Sequence, residues 1–401
     1  MARTYDFTSI MDRHNMDSIA VDHAPGGETR PGFDRIPMWV ADMNFPTAPT
    51  IQEEIIRRAQ HPAFGYFLPT DEYYDSIIGW QSRRNHVEGL KKENIGYENG
   101  VLGGAVSAVK VLCSRGDNIL LHSPTYIGFT HCLTDNGFHI VHSPLKQDAQ
   151  GVWRMDYEDM EKKIVENHIH AAILCSPHNP CGRVWEREEL EQAMAVYERH
   201  QVYVISDEIW SDLILEGHHH IPTQSVSAYA HDHTAAMYAP SKTFNLAGLI
   251  GSYHIVYDPW LNDRIQKESS ITYYNSMNVL SMHALIGAYQ PEGEEWLSQL
   301  LAVLSSNAAW AYDYICAHFQ GVTLARPQGT YMLFLDCTEW CAAHHVEMDE
   351  LLKRGVEVGV IWQDGRPFHG GHSIRMNLAL PHSRVMEAFR RLDQYVFNAK
   401  Q

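Results

Sequence analysis

From about residue 100 to residue 256 the chain alternates short apolar runs with helical segments, and that alternation admits few folds. Candidate strands are Asn118–His122, His139–His142, Ala171–Cys175, Val202–Ser206, Ala235–Ala239 and Gly251–Tyr257. Candidate helices lie between them, among them Glu186–His200, whose Glu-rich first turn suits the positive end of a helix dipole. The pattern predicts an α/β fold: a mainly parallel central sheet with helices on both faces and ligands collecting at the carboxyl ends of the strands. Three polar stretches fall at such ends: Ser176–Gly182, Asp207–Trp210 and Ser241–Lys242. Beyond residue 257 the chain reads as mostly helical to about His318. Strands near Thr330–Asp336 and Ser373–Leu378 and a final helix from about Ser383 to Phe397 then form a smaller α+β domain.

Composition narrows the function classes. The 401 residues are 45% hydrophobic, enough for the cores of two or three domains. Lys and Arg number 31 against 49 Asp and Glu, and a formal charge of -18 opposes binding to nucleic acid or to anionic lipid. The opening MARTYDFTSIMDRHNMD has no long apolar core, and no later run approaches the roughly 20 apolar residues of a membrane span, so a cytoplasmic protein is expected. Seven scattered cysteines without a CxxC pair read as reduced thiols. The 25 histidines, even His218-His219-His220, lack a metal-ligand spacing, so no metal is expected.

Several residues are chemically out of place in such a fold. Asn99–Val106, with Gly100, Gly103 and Gly104, precedes an apolar helical pattern and would offer backbone amides at a helix N-terminus, a geometry that binds phosphate; alone it reads equally as a tight turn. Ser123-Pro124-Thr125-Tyr126 sets an aromatic ring beyond a strand end, where it stacks on a planar ligand or fills the core. The Pro-flanked turn Cys175–Gly182 would hold Asn179 rigidly. Asp207 ends a strand that should be buried and needs a cationic partner, for which a pyridinium nitrogen would serve. In APSKTFNLAGL, Lys242 is either a snorkelling surface charge or a lysine whose lowered pKa suits covalent chemistry with a carbonyl. Ser373–Leu378 alternates around Arg375, which suits a bidentate grip on a carboxylate or a surface ion pair.

Taken together and in this order, these motifs resemble a fold-type I pyridoxal 5'-phosphate (PLP) enzyme of the aminotransferase class I/II superfamily. Within it the chain is similar to the MalY/PatB-type carbon–sulfur β-lyases through Pro37–Met43 (PMWVADM), Phe64-Gly65-Tyr66, Ser241–Gly248, Arg375–Leu378, and the opening Tyr5-Asp6-Phe7 with Arg13. The resemblance implies a large PLP-binding domain over residues 47–286 and a small domain made of 1–46 with 287–401. It implies that Lys242 carries the cofactor covalently and is the base at Cα, that Asp207 keeps the pyridine nitrogen protonated, that Asn179 bonds the ring hydroxyl and that Tyr126 stacks on the ring. Leu102 and Gly103 amides with Ser241 would hold the phosphate. Tyr66 would reach it from a second copy in a homodimer. Arg375 would bind the substrate carboxylate, with Ala41, Tyr66 and Asn179 beside it.

The implied reaction is elimination of a thiol from cystathionine, cysteine or a related S-substituted cysteine, giving pyruvate and ammonia. An aminotransferase using the same cofactor chemistry is the alternative, and a non-catalytic PLP-binding protein a third. The chain departs from the family pattern in places. The position eight after Lys242, often a phosphate-binding arginine, is Ile250. The tyrosine three after the aspartate is Trp210, which lacks a hydroxyl for the cofactor ring and so favours lyase over transaminase. ADMDF is here Ala41–Phe45 with Asn44, and KWD is Ala20-Val21-Asp22; in the family both border the substrate entrance.

Overall fold

The computed structural model describes residues 3–271 and 275–399. Its centre is a sheet of seven strands: β1 (Ile95–Glu98), β2 (Asn118–Ser123), β3 (His139–Pro144), β4 (Ala171–Cys175), β5 (Tyr203–Asp207), β6 (Thr234–Tyr238) and β7 (Ser252–Ile255). Their order is β1-β7-β6-β5-β4-β2-β3. All neighbours are parallel except β7, which runs antiparallel to both β1 and β6. This is the α/β architecture expected from the alternating runs, with one reversed strand that an apolar run cannot announce.

Strand side chains alternate between two helical layers, as the pleat requires. Ile119, Leu121, Ile173 and Ile205 join the core beneath helices Val101–Leu112 and Pro259–Ser270. Leu120, Ala172, Leu174 and Val204 join the opposite core beneath Tyr157–Glu166 and Arg187–Arg199. The latter helix begins with a capping box in which Glu189 accepts from the Glu186 backbone N–H at 2.8 Å.

Strand β1 was outside the expected set, and its residues explain why. Ile-Gly-Tyr-Glu carries a glycine and an acid, both turn-like in sequence. In the fold, the His254 ring of β7 fills the space over Gly96, where an added Cβ would lie 2.2 Å from it. Glu98 is buried and satisfied by His254 Nδ1 at 2.8 Å and by Ser269 Oγ at 2.9 Å, while His254 Nε2 meets Asn262 Oδ1 at 3.0 Å. A polar network therefore closes this side of the sheet.

A second, antiparallel sheet has the order β8-β10-β9, with β8 (Met332–Asp336), β9 (Gln363–Asp364) and β10 (Ser373–Asn377). Two-residue strands Ile36–Pro37 and Val360–Ile361 pair in parallel and tie the N-terminal segment to this part of the chain. The long helix Pro291–His318 is pinned to the end of β10 by Asn307 Nδ2, which donates to the Leu378 and Leu380 carbonyls at 3.0 and 2.9 Å. The final helix is shorter than expected: it spans His382–Leu392 and widens into a π-turn over Asp393–Phe397. Among the described residues, no helix is long and apolar enough to cross a membrane.

The buried network at β1 gives a stability prediction. His254→Ala removes both the ring that packs over Gly96 and the partner of a buried carboxylate, and should cost about 3 kcal/mol in chemical denaturation. A loss below about 1 kcal/mol, the ordinary effect of a point substitution, would contradict the role given to this network.

Candidate active site

The carboxyl ends of β4, β5 and β6 lie side by side, with Cys175, Asp207 and Met237 in register. Each strand is followed by a polar turn, so Asn179, Asp207 and Lys242 arrive at one edge of the sheet. Strand β1 ends at the same edge. There Gly100, with φ of 90° and ψ of 144°, makes a turn that an L side chain rarely adopts, and opens helix Val101–Leu112. The first helical amides have no partner within the helix, and the dipole adds positive potential.

These residues converge on a cavity of about 440 Å³. It is lined by Ala41, Leu102, Gly103, Tyr126, Asn179, Asp207, Ser241, Lys242 and Arg375, together with Gly100, Trp210 and Gln363. Tyr66 is the exception among the expected site residues: it is fully exposed, with Phe64 and Leu68 exposed beside it, and does not line the cavity.

One carboxyl and two basic groups face this space. Asp207 is buried and accepts from the Ile209 N–H at 3.1 Å; burial, with a smaller contribution from Glu208, pushes its carboxyl up to about 7. Lys242 Nζ donates to the Ala41 carbonyl at 3.2 Å and lies 5.9 Å from the centre of the Trp210 ring. Burial and the positive charge of Arg375 bring its amine down to about 8. Arg375 is 3% exposed, donates to Asn179 Oδ1 at 3.1 Å and to Gln363 Oε1 at 2.5 Å, and is lowered by burial to about 10. Among the described residues, none of the three is in an ion pair.

The neighbouring acid behaves differently. Glu208 is wholly buried, but it accepts from Tyr238 at 2.6 Å and from the Thr223 N–H at 3.0 Å and meets His220 at 2.7 Å. Burial alone would raise it; His220 and these donors outweigh that and hold it below the usual range. The third histidine of the 218–220 run is therefore Glu208's partner.

The segment 39–43 crosses between the lysine loop and β10 with irregular backbone, and side chains supply its hydrogen bonds. Asn377 Nδ2 donates to the carbonyls of Val40 and Asp42 at 2.9 and 2.8 Å. Asn245 bonds Met43 at both its N–H and its carbonyl, each at 3.0 Å. Arg13 grips the Asp42 carboxylate with two 2.9 Å contacts. Asn245 lies inside the Ser241–Gly248 stretch and Gln363 in no recognisable motif; for both, only the fold shows the partners. Ala20, Val21 and Asn44, the residues of the two departures associated with a substrate entrance, do not line the 440 Å³ cavity. Ala20 is buried, and Val21 and Asn44 line a separate cleft of about 290 Å³ with Arg13 and Arg384.

The charge coupling is testable without any ligand. Arg375→Gln removes a positive charge facing Lys242, so the lysine should titrate above about 8. Competitive acylation across pH, read by peptide mass spectrometry at Lys242, would show the shift, and an unchanged profile would contradict the coupling.

The family model for aminotransferase class I and II matches residues 38–392. The chain is 32% identical to cystathionine beta-lyase PatB of Bacillus subtilis, over 90% of this chain and 92% of that one. It is 29% identical to protein MalY of Escherichia coli, over 95% and 96%. Among solved structures, the PLP-bound C–S lyase from Staphylococcus hominis superposes with a TM-score of 0.87 at 28% identity, covering 98% of both chains. Cystalysin from Treponema denticola, whose crystal structure contains pyridoxal 5'-phosphate, gives 0.90 at 27% identity, over 99% and 100%. The chain belongs to the aminotransferase class I and II family.

Proposed function

We propose that this protein is a PLP-dependent carbon–sulfur β-lyase that eliminates a thiol from cystathionine, cysteine or a related S-substituted cysteine, leaving pyruvate and ammonia. The observation that carries the reading is the buried carboxylate of Asp207, which has no ion-pair partner among the described residues and shares a 440 Å³ cavity with a lysine of lowered pKa. A carboxylate in that state favours a ligand that brings a positive charge, and the donor set around it fits PLP. Asp207 would meet the ring nitrogen, the Asn179 side-chain N–H the ring hydroxyl, and Tyr126 the ring face. The Leu102 and Gly103 amides and Ser241 would hold the phosphate, and Lys242 the aldehyde carbon. Tyr66, exposed in the single chain, fits a role in a second copy's site, so the same reading has a cytoplasmic homodimer as the active unit.

Bound there, PLP supplies an electron sink for the pair left behind when the Cα–H bond breaks. Arg375 binds the substrate α-carboxylate and sets the orientation of Cα. Lys242, its amine freed when the substrate amine takes its place, is lowered to about 8, so its neutral form becomes abundant at mildly alkaline pH and takes the Cα proton. Ala41 and Asn179 border the space around that centre, and the carbonyl of Ala41 keeps the lysine aimed. The thiolate then departs from Cβ of the substrate as the electron pair of the broken Cα–H bond forms the Cα=Cβ bond, and the released 2-aminoacrylate tautomerises to its imine and takes up one water to give pyruvate and ammonia. Trp210 packs edge-to-face on Tyr331, their ring centres 4.8 Å apart, and brings no hydroxyl to the cavity, which supports elimination over amino transfer.

Incubation of the PLP-loaded protein with L-cystathionine or L-cysteine should release pyruvate, ammonia and thiol or sulfide in equal amounts. Keto-acid-dependent amino transfer without thiol release would overturn the lyase reading. Lys242→Ala should lower elimination about a thousandfold, the scale of a lost general base, and near-normal turnover would remove Lys242 from that role.

A further inference from the structure

Arg375 and Gln363 are cross-strand partners on β10 and β9. Gln363 Oε1 accepts from Nη2 at 2.5 Å, Asn179 Oδ1 accepts from Nη1 at 3.1 Å, and the Trp39 carbonyl lies 3.4 Å from Nη2. The Phe368 ring lies 4.6 Å from the guanidinium carbon. Every one of these partners is neutral. Asp364, the carboxylate next to Gln363 in sequence, pairs across the sheet with Ile374 instead, and its oxygens are taken by Arg366 at 3.0 and 2.9 Å. Arg375 Nε is buried without a hydrogen-bond partner among the described residues. The guanidinium is thus aimed by dipoles that leave its charge uncancelled.

We infer that Gln363 is a positioning residue for the substrate-binding arginine: its amide oxygen holds the Arg375 guanidinium in place without neutralising it, and so sets the affinity for an α-carboxylate. The inference rests on the reading that Arg375 receives the substrate carboxylate. The amide matters because glutamate has the same length and shape but carries a charge. A carboxylate at position 363 would satisfy the arginine from within the chain and compete with every substrate molecule intramolecularly.

The test uses PLP-loaded wild type, Gln363→Ala and Gln363→Glu, with S-methyl-L-cysteine and its carboxylate-free counterpart S-methylcysteamine. Dissociation constants are read from the cofactor absorbance, and KM and kcat from thiol release. Gln363→Ala should weaken amino-acid binding about tenfold, the effect of a lost hydrogen bond to a charged group. Gln363→Glu should weaken it about a hundredfold, with the added competition of a fixed carboxylate. Both variants should bind the amine as wild type does and raise KM more than they lower kcat. A space-filling role reverses the order, with the isosteric glutamate near wild type and alanine worst, and that result would overturn the inference. So would equal weakening for the amine. If wild type itself fails to distinguish acid from amine, the carboxylate role of Arg375 falls, and the role of Gln363 with it.

Discussion

Three ionisable side chains, Asp207 and Arg375 buried and Lys242 half-buried, surround one cavity without an ion pair among them, and the rest of the structure is arranged to make that tolerable. Removing a charge from water costs several kcal/mol unless the protein returns equivalent interactions or the group loses its charge. Here both happen. Asp207 and Lys242 are driven toward their neutral forms, to about 7 and about 8. Arg375 keeps its proton and is held by neutral acceptors. The contrast with Glu208, one residue away and fully satisfied by His220, Tyr238, Thr223 and Ser206, shows that the sheet can neutralise an acid where it has the partners to do so.

The segment 39–43 links these charges. An irregular strand of backbone crossing a buried space must find hydrogen bonds outside regular structure. Asn377 and Asn245 supply them from the two sides, one from the end of β10 and one from the lysine loop. That leaves the Ala41 carbonyl aimed at Lys242 and the Trp39 carbonyl at Arg375. The same five residues therefore fix the spacing between the group that would act at Cα and the group that would hold the carboxylate. An error of about 1 Å in such a spacing is enough to cost a hundredfold in rate.

How much of this is legible in the sequence depends on where the information sits. Strands β2, β4, β5 and β6 are short apolar runs buried on both faces, so their residues announce them, and polar residues directly after them mark the cavity edge. Strand β1 is hidden because its glycine and glutamate make sense only opposite His254. The reversal of β7 leaves no trace in an apolar run. Gln363 lies in a strand of two residues, too short for any periodicity, and its importance comes from register with Arg375. Asn245 sits at a φ of 57°, and its role depends on Met43, two hundred positions earlier in the chain. Tyr66 is recognisable only through family resemblance, since within one chain it touches nothing in the cavity.

The unpaired state of Asp207 has its most direct test in the nitrogen resonance of bound PLP labelled with 15N in the ring. If the buried carboxylate is kept for a ring cation, the resonance lies at the protonated position in the wild-type protein. In Asp207→Asn, an amide of the same shape without the charge, it moves to the neutral position. A neutral ring nitrogen in wild type, or a protonated one that persists in the variant, would contradict the pairing on which the proposed chemistry depends.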